Sequence, residues 1–420
     1  MSISKRNFLQ LAGIGGAVAV ASVSLPSASS ASSDDGLLSM TADVKPISVE
    51  ERLARIEKAQ RLMAEQGIDA ILIEPGSAML YFTGISWWRS ERLTAVIIPR
   101  HGEIGVVTPH FEEPSVRESL TFGDDVRPWH EHESPFERVA GILADRGLKG
   151  GKLGMEKTVR HFVVDGMHKA APGFQVVSAT PVTLGCRMYK TPAELQLMQK
   201  ANDITLAAYK HTHAQVQVGM TPDDINSMMH RAMRELGGSG TWAMALLNES
   251  SAYPHGSGQP QTVQDGGVVL MDCGCSVEGY QSDISRTFVQ GEVSGRQRQV
   301  WELVKVGQEL VMETAQIGTP AGAVDDAVRK LYESHGFGPG YATPGLPHRT
   351  GHGIGMDGHE SVNFVHGEKE ILKPGMCFSN EPGLYIYGEF GIRLEDCLYM
   401  TEDGPKLFTA LSPSIDRPFA

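Results

Sequence analysis

Residues 268–289 read VVLMDCGCSVEGYQSDISRTFV, in which two β-type runs flank a polar turn, SVEGYQ. This pattern predicts a β-hairpin with Asp272 on one arm and Asp283 on the other. Asp272 directly follows four apolar residues, where a solvated carboxylate is not expected. Because an unpaired charge in a strand-rich core costs several kcal/mol, a shared cation is the expected partner of these two aspartates.

A second stretch has the same form and carries two glutamates. MCFSNE at 376–381 leads into a Pro-Gly turn, and GIRLE at 391–395 is expected to return as its partner strand. Glu381 and Glu395 are the carboxylates of this predicted hairpin. Four carboxylates in one site would force protonation unless cations neutralise them. The two hairpins together therefore predict a site for divalent metal.

HRTGHGIGMDGHE at 348–360 lies between the hairpins and supplies His348, His352 and His359. Their spacing would suit one face of a helix, but four glycines argue against a helix. A glycine-rich strand or loop close to the site is predicted instead. Two aspartates, two glutamates and a histidine form an oxygen-rich donor set, which suits Mn²⁺ better than a thiolate-bound structural zinc. Two such ions about 3.5 Å apart can polarise a carbonyl for hydrolysis.

Several stretches resemble the pita-bread metallopeptidases, specifically the aminopeptidase P and prolidase branch. They are PHGSG at 254–258, MDCGCSVEGYQSDISRTF at 271–288, HRTGHGIGMDGHE at 348–360, NEPGLY at 380–385 and GIRLED at 391–396. LYFTG at 80–84 resembles the creatinase-type N-terminal domain of that family. The resemblance implies an α/β chain with a creatinase-like N-terminal α/β domain and a C-terminal pita-bread α+β metallohydrolase domain.

The resemblance also implies how the metal ligands are used. Asp272 would bind one ion, Asp283 and Glu395 would bridge two ions, and His352 and Glu381 would complete the second position. Glu381 would in addition act as the general base that takes a proton from the attacking water. The two divalent ions are expected to be Mn²⁺, with Co²⁺, Zn²⁺ or Fe²⁺ as alternatives.

Five further residues match the family's pattern around the metals. His359 and His255 match histidines that position the substrate and stabilise the developing oxyanion, and His348 matches another histidine of the substrate pocket. Arg393 lies on the same strand face as the second glutamate and would support the site electrostatically. Tyr385 matches a tyrosine that hydrogen-bonds within the site.

The rest of the chain predicts an alternating α/β region followed by a helical and strand-rich region. Short apolar runs at 69–74, 78–84, 94–99, 103–109 and 176–180 predict strands. Helices are predicted at 49–66, 134–146, 158–169, 193–216, 221–236, 297–316 and 321–335. A basic, proline-containing joint at 186–194 divides the chain, so the predicted domains are 1–33 (signal peptide), 34–190 (creatinase-type) and 191–420 (catalytic).

The first 33 residues predict export. Lys5-Arg6 precede an apolar run at 9–25 and a Ser/Ala-rich stretch, which is the layout of a signal peptide. Ser4–Leu9 resembles the twin-arginine motif with lysine in place of the first arginine, so a periplasmic or otherwise exported protein is expected. An uncleaved signal anchor is the alternative. No later stretch is long and apolar enough for a membrane span.

Composition excludes several classes of function. A chain of 420 residues favours two domains. With 50 acidic against 37 basic residues, it offers no basic surface for nucleic acid. Five cysteines exclude a fully paired disulfide scaffold. Four cysteines flank the predicted ligands: Cys273, Cys275, Cys377 and Cys397. They are expected to be small buried hydrophobes. The alternative, for Cys397 on the strand face of Glu395, is a thiol near the metals.

The expected function is a proline-specific exopeptidase, either an Xaa-Pro aminopeptidase or an Xaa-Pro dipeptidase, acting on small peptides. The alternatives are a creatinase-like C–N hydrolase, a dimethylsulfoniopropionate lyase or a non-catalytic binding module. The lyase branch carries an extra aspartate where this chain has Gly274, and the creatinase type and a binding module would lack metal ligands. A homodimer or homotetramer is expected. Trp87, Trp88 and Arg89 are either core residues beside a solvated charge or part of a partner's specificity pocket.

Overall fold

The computed structural model describes residues 36–419. The predicted signal peptide, with its twin-arginine-like motif, lies outside the described residues. None of the helices formed by residues 36–419 has the length and apolar character needed to cross a bilayer.

The N-terminal half is built on one mixed sheet. Its strands are β1 (Ala70–Ile73), β2 (Ala95–Pro99), β3 (Gly105–Pro109), β4 (Val126–Trp129), β5 (Gly151–Met155) and β6 (Phe174–Ser178). They run in the order β4-β3-β2-β1-β5-β6, with β2 antiparallel to both of its neighbours and the other pairs parallel. The helices are α1 (Val49–Gln66), α2 (Ser77–Thr83), α3 (Glu113–Ser119), α4 (Pro135–Asp145), α5 (His161–Ala170) and α6 (Thr180–Arg187).

Helix α1 begins and ends where the sequence predicts. The side chain of Ser48 accepts a hydrogen bond from the backbone of Glu51 at 3.2 Å, which caps the first turn. Gly67 ends the helix in the left-handed conformation, at φ 64°. The helix buries Ile56, Ala59 and other residues of one face.

The strand predicted at 78–84 is wrong, because these residues form helix α2. Ala78, Met79, Tyr81, Phe82 and Thr83 are all buried. A short segment that is apolar on every side carries no periodicity by which a helix can be told from a buried strand. Glycine at position 84 ends the helix with φ 81°, so the glycine that marks a turn in the sequence is a helix C-cap.

The C-terminal half has two pairs of helices; the first pair is followed by one sheet, and the second by a five-stranded sheet and a two-stranded sheet. The helices are α7 (Pro192–His213), α8 (Pro222–Glu235), α9 (Gly295–Thr314) and α10 (Ala321–Ser334). The first sheet has β7 (Ser239–Leu247), β8 (Gly267–Val277), β9 (Tyr280–Gln281) and β10 (Ile284–Gln290). The remaining strands are β11 (Gly351–Gly353), β12 (Glu360–Phe364), β13 (Cys377–Asn380), β14 (Gly383–Ile386), β15 (Phe390–Arg393), β16 (Asp396–Thr401) and β17 (Gly404–Leu407).

The first predicted hairpin is confirmed in the strand pairing. Strands β8 and β10 are antiparallel, and Asp272 on β8 is the register partner of Ser285 on β10. Strands β7 and β9 also pair with β8. The four apolar residues that precede Asp272 lie within β8 and are all buried.

The second predicted hairpin has a different register from the one expected. Strand β13 pairs with β16, so Asn380 lies opposite Asp396, and a smaller hairpin of β14 and β15 is inserted between them. The Pro-Gly pair that follows Glu381 is therefore not the turn, because Gly383 begins the buried strand β14. Both predicted glutamates lie at the junction between the two strand pairs, one directly after β13 and one directly before β16.

The glycine-rich stretch at 348–360 forms strand β11 and a loop, as predicted. A Cβ atom at Gly351 would lie 2.2 Å from the carbonyl oxygen of Ser379 on the neighbouring strand. Only glycine allows these two backbones to come so close. This close approach brings His352 of β11 beside the strands that carry the carboxylates.

Candidate metal centre

Backbone hydrogen bonds bring the ligand-bearing segments together. Ser285 and Glu395 exchange two backbone hydrogen bonds of 3.3 and 3.0 Å, which join the first hairpin to the second. The backbone N–H of Glu381 donates to the carbonyl of Thr350 at 3.0 Å, and that of His352 donates to the hydroxyl of Ser379 at 3.0 Å. Segments more than a hundred residues apart in the chain thus meet at one point.

The five predicted ligands meet in one cluster. Their donor atoms form overlapping groups in which all atoms lie within 4.8 Å of one another. The groups are Asp272, Asp283 and Glu395; His352, Glu381 and Glu395; and Asp283, His352 and His359. The Nε2 atom of His352 lies 3.5 Å from Asp283 Oδ2 and 3.4 Å from Glu381 Oε1. Two groups that share Glu395 provide donors for two adjacent cations.

Arg393 connects Asp272 to Glu395 through hydrogen bonds, the second of them by way of Ser285. Its Nη2 donates to Asp272 Oδ2 at 2.5 Å, and its Nε donates to the hydroxyl of Ser285 at 2.8 Å. The same hydroxyl donates to Glu395 Oε2 at 2.7 Å. The arginine is buried, so its charge offsets part of the negative charge of the cluster and its fork fixes the orientation of the carboxylates.

His348 and Tyr385 form a hydrogen-bonded chain with Arg393. Arg393 Nη1 donates to the Tyr385 hydroxyl at 2.9 Å, which leaves that hydroxyl to donate to His348 Nε2 at 2.9 Å. His348 Nδ1 then donates to the carbonyl of Arg349 at 2.7 Å. Burial, together with the charge of Arg393, lowers the pKa of His348 to about 3, so the ring is neutral and both of its nitrogens are engaged within the protein.

The residues fit divalent cations on two counts. Oδ1 of Asp272 is buried and has no hydrogen-bond partner among the described residues, as expected of a carboxylate oxygen that binds metal. Burial and the neighbouring carboxylates raise the pKa values of Asp283 and Glu395 well above their usual range, and burial raises that of Glu381. Burial lowers the pKa of His352, which keeps its imidazole neutral and able to bind metal.

Removal of the metal is expected to make stability fall with rising pH. Groups whose folded pKa is raised above the unfolded value of about 4 lose stability as the pH rises through the folded pKa. The histidines with lowered pKa values give the opposite slope below about pH 6.5, so the fall in stability is expected above about pH 6.5. Thermal unfolding should show a falling midpoint with chelator and a flat midpoint with Mn²⁺. Parallel curves would contradict this prediction.

A cavity of about 550 Å³ opens over the carboxylates. His255 and His359 line it, as do Trp242 and Met244, which sequence reasoning missed. The ring of His359 lies edge-on to that of His352, with centroids 4.1 Å apart, and burial lowers its pKa to about 4. The cavity thus places the neutral imidazole of His359 beside an acidic floor.

Arg349 also lines this cavity and was not among the predicted site residues. Its guanidinium is half-buried, and no carboxylate of residues 36–419 forms an ion pair with it. The signal that could have found it is its place in the HRTGHG stretch, between two predicted site histidines. A guanidinium in this position is chemically suited to bind a carboxylate through paired hydrogen bonds.

A buried ion pair between Arg286 and Asp396 supports the backbone of Glu395. Asp396 accepts from Arg286 Nη2 at 2.6 Å, from Gln308 at 2.9 Å and from Thr409 at 2.5 Å. Arg286 Nη1 also donates to the backbone carbonyl of Glu395 at 2.7 Å. The pair is almost fully excluded from solvent, with side-chain exposures of 1% and 0%. It therefore fixes the backbone from which the ligand projects.

The cysteines near the ligands are all buried free thiols. Burial raises the pKa of Cys273 and that of Cys377 to about 12. The Cys397 thiol donates to the backbone carbonyl of Asp283 at 3.2 Å. These thiols are protonated at neutral pH and occupy space as small apolar side chains.

This fold and this acidic cluster define a two-part metallohydrolase of the pita-bread type. The model of metallopeptidase family M24 matches residues 196–402, and that of the creatinase/prolidase N-terminal domain matches residues 55–189. The chain belongs to metallopeptidase family M24. The resemblance to the aminopeptidase P and prolidase branch and the predicted fold class are both confirmed, and the family implies divalent metals as cofactors.

Similar proteins span nearly the whole of the described chain. An Xaa-Pro dipeptidase from Lactobacillus helveticus is 30% identical over 361 residues, which cover 84% of this chain and 96% of that protein. The structure of a prolidase from Thermococcus sibiricus has a TM-score of 0.80 at 28% identity and covers 87% of this chain and 98% of that one. The structure of dipeptidase PepE from Mycobacterium ulcerans has a TM-score of 0.81 at 28% identity and covers 89% of this chain and 99% of that one.

Proposed function

We propose that this protein is a di-metal exopeptidase that hydrolyses the bond between an N-terminal residue and proline, with Xaa-Pro dipeptides as preferred substrates. The observation that carries this proposal is the cluster of overlapping donor groups, in each of which the donor atoms lie within 4.8 Å of one another. The name of the Lactobacillus helveticus relative, Xaa-Pro dipeptidase, supports the substrate class. Proline lacks the N–H that ordinary peptidases bind, and a two-metal site does not need that donor.

Two Mn²⁺ ions are the proposed cofactors. Asp272 would contribute to one metal position, Asp283 and Glu395 to both, and His352 and Glu381 to the second. When bound, such ions polarise the scissile carbonyl and lower the pKa of a water molecule. The oxygen-rich donor set supports Mn²⁺ over softer metals.

The protein's own groups bind the substrate and move the proton. Glu381, which lines the cavity and has Oε1 3.4 Å from His352 Nε2, accepts the proton of the attacking water. His359 and His255 line the cavity and hydrogen-bond the substrate carbonyl. Arg393, through its bonds to Asp272 and Tyr385, holds the acidic floor in place.

The preference for dipeptides is proposed from Arg349. In an Xaa-Pro dipeptide the free carboxylate belongs to the proline itself, one residue beyond the scissile bond. A guanidinium on the cavity wall can bind that carboxylate through two parallel hydrogen bonds. A longer peptide places a neutral amide at the same point, and its carboxylate lies beyond the reach of Arg349.

The lyase alternative is disfavoured at Gly274. A Cβ atom at this position would lie 2.2 Å from the carbonyl oxygen of Ser282 and 2.6 Å from the indole nitrogen of Trp242. The aspartate of the lyase branch has no room here without movement of the backbone. The creatinase-like and non-catalytic alternatives require a missing ligand, and every predicted ligand is present.

The proposal is tested with the purified chain and Mn²⁺ on Ala-Pro, Ala-Pro-Ala, Ala-Ala and dimethylsulfoniopropionate. We expect cleavage of the proline substrates, with Ala-Pro preferred. Arg349→Gln should lower kcat/KM for Ala-Pro by about 10- to 100-fold, since hydrogen bonds to charged groups are worth about 1.5–3 kcal/mol, and should affect Ala-Pro-Ala less. Arg296→Gln, on the surface, is the control. Full metal occupancy without proline-dependent cleavage would refute the proposal.

Three further features belong to the same proposal. The catalytic domain is proposed to begin near residue 191, and the chain is proposed to be exported with residues 1–33 as its signal. A homodimer or homotetramer is proposed as the functional unit. Trp87 and Trp88 support an interface, because their rings stack at 4.8 Å and Trp88 is 66% exposed.

A further inference from the structure

The turn that presents His359 to the cavity is closed by the carboxylate of the next residue. Glu360 Oε1 accepts backbone hydrogen bonds from Met356 at 3.1 Å and from Asp357 at 3.3 Å. His359 itself is exposed at the cavity wall, and no described residue hydrogen-bonds its ring. The position of its imidazole therefore depends on the turn that carries it.

Two buried cations from the end of the N-terminal half meet this carboxylate. Lys190 Nζ lies 2.8 Å from Glu360 Oε2, and Arg187 Nη2 lies 2.5 Å from Oε1. Arg187 also lies 2.8 Å from Asp357 Oδ2, and the hydroxyl of Ser77 on helix α2 bonds the other oxygen of Asp357. The turn is thus held at both of its acidic residues by groups that precede the catalytic half.

Glu360, Arg187 and Lys190 form a clamp that is permanently charged and tightly packed. Burial alone would raise the pKa of Glu360, but the charges of Lys190 and Arg187 outweigh it and hold the pKa at about 2. The side chains of Lys190 and Glu360 are only 4% and 5% exposed. A Cβ atom at Gly355 would lie 2.8 Å from both Glu360 Oε1 and Lys190 Cε. The turn consequently has little room to move while the three charges stay paired.

We propose that Glu360, Arg187 and Lys190 are positioning residues that hold His359 at the catalytic cavity, so that the N-terminal half sets part of the active-site geometry. The inference rests on the proposed function, in which His359 contacts the substrate. Without the clamp the turn is free to move, and small displacements of a catalytic group lower the rate of the chemical step more than they weaken substrate binding.

A double-mutant cycle tests this inference. Glu360→Gln should lower kcat for Ala-Pro by about 10- to 100-fold with little change in KM. In the His359→Ala background the same change should cost less than about twofold, because the residue that the clamp positions is already absent. Equal losses in both backgrounds, or wild-type activity of Glu360→Gln, would overturn the proposal.

Glu194→Gln is the matched control. Glu194 is 2% exposed, and its carboxylate bonds Arg55 at 3.4 Å, Tyr280 at 2.7 Å and the backbone N–H of Thr191 at 2.7 Å; none of these hydrogen bonds and ion pairs reaches the 356–360 turn. We expect its kcat to stay within about twofold of wild type. Should Glu360→Gln unfold, Asp357→Ala gives a milder test, because Asp357 is half exposed; it should lower kcat several-fold with His359 present and not in its absence.

Amide hydrogen exchange separates failure of the clamp from failure of the proposed function. A wild-type chain that cleaves no Xaa-Pro peptide refutes the proposed function alone. The clamp is then judged by the peptide that contains residues 354–360, which should exchange faster in Glu360→Gln than in wild type or Glu194→Gln. Unchanged exchange in this segment would overturn the inference even in an active enzyme.

Discussion

Replacing Asp283 with alanine is expected to abolish both metal binding and peptidase activity. The Asp283 carboxylate belongs to two of the donor groups, one with His352 and one with Asp272, so its loss would remove a donor from both of the proposed metal positions. The activity should fall by at least about 10³-fold, since Lewis-acid stabilisation is worth several kcal/mol. Metal content measured by mass spectrometry and kcat/KM for Ala-Pro check the prediction.

The same variant should be no less stable than the metal-free wild type. Because Asp283 is a buried carboxylate with a raised pKa, its removal relieves repulsion when no cation is present. Glu278→Asn is the control, since Glu278 is an exposed acid in the turn of the same hairpin and its φ of 51° suits asparagine. An Asp283→Ala protein with full metal content and normal activity would refute the proposed ligand set.

Replacing Arg286 with methionine is expected to cause the largest loss of stability. The change leaves the carboxylate of Asp396 buried without its cation, which typically costs about 3–5 kcal/mol. Metal affinity should weaken as well, because Arg286 donates to the backbone carbonyl of Glu395. Urea denaturation of the metal-loaded protein and metal titration provide the two measurements.

Two comparisons make this prediction specific. Arg298→Met breaks an exposed pair with Asp416, whose side chains are 44% and 49% exposed, and should lower the stability far less than Arg286→Met does. The double variant Arg286→Met with Asp396→Asn removes the buried charge and should recover part of the loss. If the double variant is as unstable as the single one, the unpaired charge is not the cause.

The candidate ligands could be predicted because each is marked by its own local sequence. Asp272 stands at the end of an apolar run, and Glu381 and Glu395 occupy equivalent places in two similar stretches. Helix α1 was predictable for the same reason, since its cap and its glycine stop are adjacent to it. Features that depend on near neighbours in the chain can be read without the fold.

Local sequence patterns gave wrong predictions in two cases: a segment that is apolar on all sides, and a strand pairing that depends on distant parts of the chain. Helix α2 has no polar face by which its period could be recognised. The register of the second hairpin depends on β14 and β15, which fill buried space against the rest of the molecule. Burial by distant parts of the chain decided both cases.

The sequence by itself determined the family motifs and the donor set, because these depend on residue types at short spacing. Only the tertiary structure decided which charges meet: Arg286 with Asp396, Arg187 and Lys190 with Glu360, and Arg349 with the cavity. The paired residues lie more than a hundred positions apart in the chain. Their pairing follows from the cost of burying a charge alone, a cost that arises only once the chain has folded.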